Sequence, residues 1–91
     1  LDMARFEMTG AEMAPMAQVA PSGETFYQLG ITYATGRDVA QDLVAAHKWF
    51  NLAALRGNQE AAQRRQEIAS ELSAAEISAA QRAAREWLRA H

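Results

Sequence analysis

Apolar residues recur along most of this chain at the three- and four-residue spacings of helices buried on one face, and Ser, Asp, Asn and Gly interrupt the pattern at regular points. Ser22 is placed to cap a first helix of roughly residues 23–35, in which Phe26, Leu29 and Tyr33 share the apolar side and Gly36 ends the run. Gly30 lies inside that helix at a cost of about 1 kcal/mol relative to alanine, which is expected where another helix must approach the backbone closely. Asp42 caps a second helix of roughly 43–56, with Leu43, Ala46, Phe50 and Ala53 as its buried stripe and Gly57 as its stop. Asn58 opens a third helix of roughly 59–70 carrying Ala61, Ala62, Arg65 and Ile68. Ser73 and Glu76 form a capping box at the head of a fourth, which runs to about Arg89 with Ile77, Ala80, Ala84, Trp87 and Leu88 as its stripe. Arg82, Arg85 and Arg89 fall together on a different flank.

Residues 1–22 do not follow this pattern. They hold all four methionines, Met3, Met8, Met13 and Met16, together with Phe6 and two prolines that limit any helix to a turn or two. The segment reads as an apolar arm, extended or partly helical. Methionines adapt to irregular apolar grooves, so Met3, Phe6, Met8, Met13 and Met16 are candidates for packing on this chain, on a second copy or on a partner protein, with disorder as the alternative. The expected division is therefore an arm over 1–22, a helical hairpin over 23–57, and a third helix with a capping helix over 58–91.

The block from Leu29 to Ala61 resembles the Sel1-like repeat family, relatives of the tetratricopeptide repeats whose unit is an antiparallel helix pair. Leu29-Gly30, Tyr33, Gly36, Val39, Gln41-Asp42, Ala46, Lys48-Trp49-Phe50, Ala53-Ala54, Gly57 and Ala61 fall at that family's positions. Two residues depart from it: Asp38 stands where a second loop glycine is usual, and Ala40 where proline is common. Only one full repeat and part of another are present, and residues 72–91 look like the capping tail of bacterial members. The resemblance implies an all-α fold, a short hairpin solenoid of about four helices in which Trp87 and Leu88 close the open end. It also implies that the first helix of the pair lines a concave face, which makes Gln28, Ile31, Thr32 and Thr35 candidate contact residues. One and a half repeats fall short of the three or so that sustain a solenoid, so the capping helix, the arm or a second copy must supply the missing burial.

Composition fits close helix packing, since alanine fills 21 of the 91 positions. The formal charge of −2 gives no general pull toward nucleic acid or an anionic membrane, and most of it belongs to the arm, where Asp2, Glu7 and Glu12 outnumber Arg5. No apolar run approaches the roughly 20 residues of a membrane-spanning helix. The absence of cysteine removes disulfides, thiolate metal sites and a cysteine nucleophile without fixing a compartment. A natural start at Met3 points to the cytoplasm, whereas a longer precursor cut before Leu1 points to export into the periplasm.

The chemistry-bearing residues are few. His47 and the terminal His91 are the only histidines, with no i, i+4 partner for a metal, so His47 reads as a surface or partly buried structural residue. Nucleophile motifs and phosphate-cradling glycine loops are missing. Arg64, Arg65, Arg82, Arg85 and Arg89 with Trp87 could meet phosphates and a base, but Glu60, Glu67, Glu71, Glu76 and Glu86 interleave with them, as on a solvated face. The expectation is a non-enzymatic protein-binding module without a cofactor, an adaptor or assembly scaffold, with a structural accessory subunit as the alternative. Its partner is another protein or peptide, with homo-oligomers through the arm as a further route.

Overall fold

A computed structural model describes residues 21–91, which form an all-α fold of four helices: α1 (Gly23–Thr35), α2 (Leu43–Leu55), α3 (Gln59–Ala69) and α4 (Ala74–Ala90). Each begins at the residue whose side chain can satisfy a first-turn amide. Ser22 Oγ accepts from Thr25 N at 3.2 Å, Asp42 Oδ1 from Ala45 N at 3.0 Å, and Asn58 Oδ1 from Ala61 N at 2.8 Å. At α4 the capping box is complete, with Glu76 N donating to Ser73 Oγ at 3.1 Å and Ser73 N donating to Glu76 Oε1 at 2.8 Å. The C-terminal ends of α2 and α3 fall one residue short of the sequence expectation. Arg56 and Ser70 take up cap positions there, and α4 continues one residue beyond Arg89.

The turn between α1 and α2 requires left-handed backbone twice. Gly36 sits at φ 76°, and its N–H closes on the Thr32 carbonyl at 2.9 Å. Asp38, in place of the expected second loop glycine, sits at φ 64°. Aspartate tolerates this region better than most residues but still carries strain there. Asp38→Gly should therefore stabilise the domain, by about 0.5 kcal/mol once the greater freedom of glycine in the unfolded chain is subtracted. Urea unfolding followed by circular dichroism measures the change. A loss of stability would mean that the aspartate side chain contributes more than its backbone strain removes.

Helix α2 is the hub, packing against α1, α3 and α4. This explains where the core departs from the sequence expectation. A helix covered on three sides buries more than one stripe, so Leu52 (1 % exposed) and His47 (3 %) join Ala46, Phe50 and Ala53 inside, while Leu43 is only half-buried. Phe26, Ala61, Ile68, Ala80 and Ala84 reach the core from the other helices. The small residues allow close approach. A Cβ on Gly30 would lie 2.5 Å from the Phe50 ring, so this glycine exists to seat that ring against the backbone of α1.

The capping helix is tied in by aromatic rings. Trp87 meets Phe26 edge-on at 5.1 Å and Trp49 at 6.1 Å, reaching from α4 across to the first hairpin. Leu88, expected to close the end with it, instead stays 41 % exposed on the neighbouring flank. Both lie about one turn from the buried Ala84, but Trp87, seven residues after the buried Ala80, falls nearly in line with it, whereas Leu88 falls beyond Ala84 toward solvent.

Candidate binding groove

Helices α1 and α3 face each other across α2 and leave a groove of about 240 Å3 between them. Its floor is apolar: Ile31 and Ala34 from α1, Leu43 and Phe50 from α2, and Ile68 from α3. Its rim is polar, with Thr35 and Gln41 on one side and Arg64, Glu67 and Glu71 on the other. The loop holds that rim in place, because Gln41 Nε2 donates to the Ala34 carbonyl at 2.8 Å. Tyr27 Oη donates to Glu60 Oε2 at 2.9 Å and so ties α1 to α3 beyond the groove.

The charges along α3 follow helical spacing. Glu60, Arg64 and Glu67 recur every three or four residues, with Arg64 bridging Glu60 at 3.6 Å and Glu67 at 3.7 Å, and Glu71 follows in the turn after the helix. The Tyr27 hydroxyl, and then the flanking Glu67 and Glu60 carboxylates, push the pKa of Arg64 still higher than its ordinary value. On α1 the matching row is Glu24, Gln28, Ile31 and Thr35.

Of the contact residues expected from sequence, Ile31 and Thr35 line the groove. Gln28 is exposed further along the same row, where its Nε2 donates to Glu24 Oε2 at 2.9 Å, and Thr32 lies outside the lining. Met3, Phe6, Met8, Met13 and Met16 lie outside the described residues. The α3 half of the groove went unnoticed in the sequence, although the row of Glu60, Arg64, Glu67 and Glu71 was visible as a period. The motif residues Leu29, Gly30, Tyr33, Gly36, Asp42, Trp49, Phe50, Ala53, Ala54, Gly57 and Trp87 serve packing, caps and turns, and only Phe50 also reaches the floor.

Arg64 and Arg65 do not join Arg82, Arg85 and Arg89 in one basic surface. Arg64 is engaged on α3, and Arg65 donates to Asn51 Oδ1 at 2.7 Å. Trp87 is occupied by Phe26, Trp49 and the His91 ring stacked on it at 4.2 Å, so it is not presented for stacking a base. Among the described residues, no group of three or more His, Asp or Glu converges as a metal site, and no helix is long and apolar enough to cross a membrane.

His47 is buried more deeply than the surface or partly buried placement read from sequence. It is buried in α2 with no hydrogen-bond partner at Nδ1 among the described residues. Burial, and then the nearby Arg65 charge, lower its pKa below the ordinary 6.5, so the folded protein holds it neutral. The stability linked to this is fully present above pH 6.5, where folded and unfolded chains are both neutral at this residue. It is lost as pH falls from there toward the lowered folded value, because only the unfolded chain takes up the proton. Urea unfolding between pH 5 and pH 7 should show a decline of up to about 1.4 kcal/mol per pH unit, which His47→Gln removes. An unchanged slope in that variant would assign the pH dependence to other groups. No protein-family model, curated protein or solved structure matches the chain.

Proposed function

We propose that this chain is a non-catalytic protein–protein interaction module of the Sel1-like kind, a small adaptor or assembly scaffold that holds a segment of another protein in the groove between α1 and α3. The observation that carries this reading is the groove itself, whose apolar floor of Ile31, Ala34, Leu43, Phe50 and Ile68 lies open between polar rims. Such a surface suits an aliphatic anchor on a helix or extended peptide, with the rims fixing direction. The agreement of Ile31 and Thr35 with the first-helix face of the repeat family adds to it.

The test is a peptide selection against the full chain, followed by mapping of the enriched peptides on the backbone amide resonances. Shifts centred on Ile31, Thr35 and Ile68, lost in Ile31→Arg, are the expected result. Peptides that map elsewhere, or that bind Ile31→Arg equally well, overturn the groove reading. The alternative, a structural accessory subunit of a larger complex, draws on Leu55, which is 62 % exposed at the end of α2 and is the kind of residue a permanent partner covers.

A further inference from the structure

The described residues, 21–91, contain eight Lys and Arg against eight Asp and Glu, so this part of the chain is neutral. Its charge is nonetheless sorted by face. The groove's lining sets Glu67 and Glu71 against the single Arg64, an excess of one negative charge, and Glu60 on α3 and Glu24 on α1 stand further along the same two helices. On α4 the helical spacing sets Arg85 beside Leu88 and places Arg82 and Arg89 further round the same exposed side; Glu86 falls among them, four residues after Arg82 and three before Arg89, and Glu76 is turned away. Among the described residues no carboxylate pairs with these three arginines. Leu88, beside Arg85, is 41 % exposed.

One chain therefore carries both halves of a complementary contact: an apolar groove with an acidic rim, and a basic flank with one aliphatic side chain standing out of it. We propose that the groove of one copy receives the α4 flank of a second copy, with Leu88 on the floor formed by Ile31, Phe50 and Ile68 and with Arg85 and Arg89 against Glu67 and Glu71. This rests on the groove being a docking surface, and it names the occupant. The chain's own residues 1–20 are the poorer fit, because their net charge of −2 has the same sign as the rim. Leu55 is also a poorer fit, because the neighbouring Arg56 is committed to the Pro21 carbonyl and to the face of Phe26. Donor and acceptor surfaces differ, so the contact is head-to-tail and extends beyond two copies unless the ring closes. Its ion pairs are exposed, which makes the association weak and sensitive to salt.

Sedimentation of the full chain over a range of concentrations tests this. At low salt the average mass should rise above the 10.0 kDa monomer with concentration, and high salt should reverse the rise. Arg85→Glu with Arg89→Glu, and separately Glu67→Arg with Glu71→Arg, should each reduce association about tenfold. Mixing these two variants should restore association, because the native groove of one meets the native flank of the other and the two reversed surfaces are again complementary, so that the two chains alternate. Glu71→Arg alone leaves the Arg64–Glu67 pair intact and should shift association in the same direction by less, and circular dichroism of each variant checks that the helices persist.

A chain that stays monomeric at low salt overturns the proposal, as does self-association that survives Leu88→Ser or a mixture no heavier than its parts. If the mixture fails while selected peptides still shift Ile31 and Ile68, the groove reading stands and self-docking falls. If both fail, both fall.

Discussion

Gly30→Ala is expected to destabilise the domain by about 2 kcal/mol, although alanine is the better helix former by about 1 kcal/mol. The added Cβ would lie 2.5 Å from Cδ1 and Cε1 of Phe50 and 2.9 Å from its Cζ. That ring is fully buried and packed against Tyr27 at 5.6 Å, so it cannot swing away as an exposed side chain would. Either the ring leaves its rotamer or α1 moves off α2, and both loosen the closest packing in the first hairpin. The double variant with Phe50→Leu decides whether the ring is the cause. Removing it makes room at position 30, so the alanine should cost distinctly less in that background than in the natural chain. Equal costs in the two backgrounds, or a gain of stability from the single change, would show that close approach is not why glycine stands there. Chemical unfolding monitored by helicity gives all four values of the cycle.

The contrast between Gly30 and His47 shows which parts of the fold were legible in the sequence. Helix starts were readable because Ser22, Asp42, Asn58 and Ser73 act on amides three residues away, and local chemistry leaves a local signature. Gly30 was readable for a related reason, since a costly residue inside a helix demands a contact. His47 and Leu52 were misread or missed because a single apolar stripe presumes one buried face, whereas α2 is covered by three helices. The number of neighbours a helix has is a property of the assembled fold. The groove was half legible in the same sense. Ile31 and Thr35 followed from the hairpin, but the other wall comes from Arg64, Glu67, Ile68 and Glu71, far along the chain. Those acidic residues were read as an undivided solvated face. Only the placement of α3 opposite α1, with α4 on another side of α2, separates an acidic rim from a basic flank.

Phe26→Ala should have the larger effect, a loss of about 3–5 kcal/mol. Phe26 is fully buried at the meeting of three helices, stacked on Trp49 at 5.8 Å and meeting Trp87 edge-on at 5.1 Å, with the Arg56 guanidinium 5.7 Å above its ring. A domain of this size has roughly 4–10 kcal/mol in all, so the variant approaches the limit of folding, with a fall in Tm of about 15 °C or more. The chain has two tryptophans, Trp49 and Trp87, and both touch the ring that is removed. Their emission should therefore shift to the red in the folded variant, before any unfolding transition begins. The effect should also be uneven along the chain. Helix α4 is joined to α1 through Phe26 and Trp87, so its amides should exchange with solvent faster than those of α2, which keeps its contacts with α3. Trp87→Ala should expose α4 in the same way, and the double variant should cost less than the sum of the two, because both changes remove one shared contact. Additive costs with uniform exchange would mean that α4 is held by its alanine contacts with α2 alone, Ala80 and Ala84 foremost, and that the ring cluster fills space without coupling the capping helix to the first hairpin.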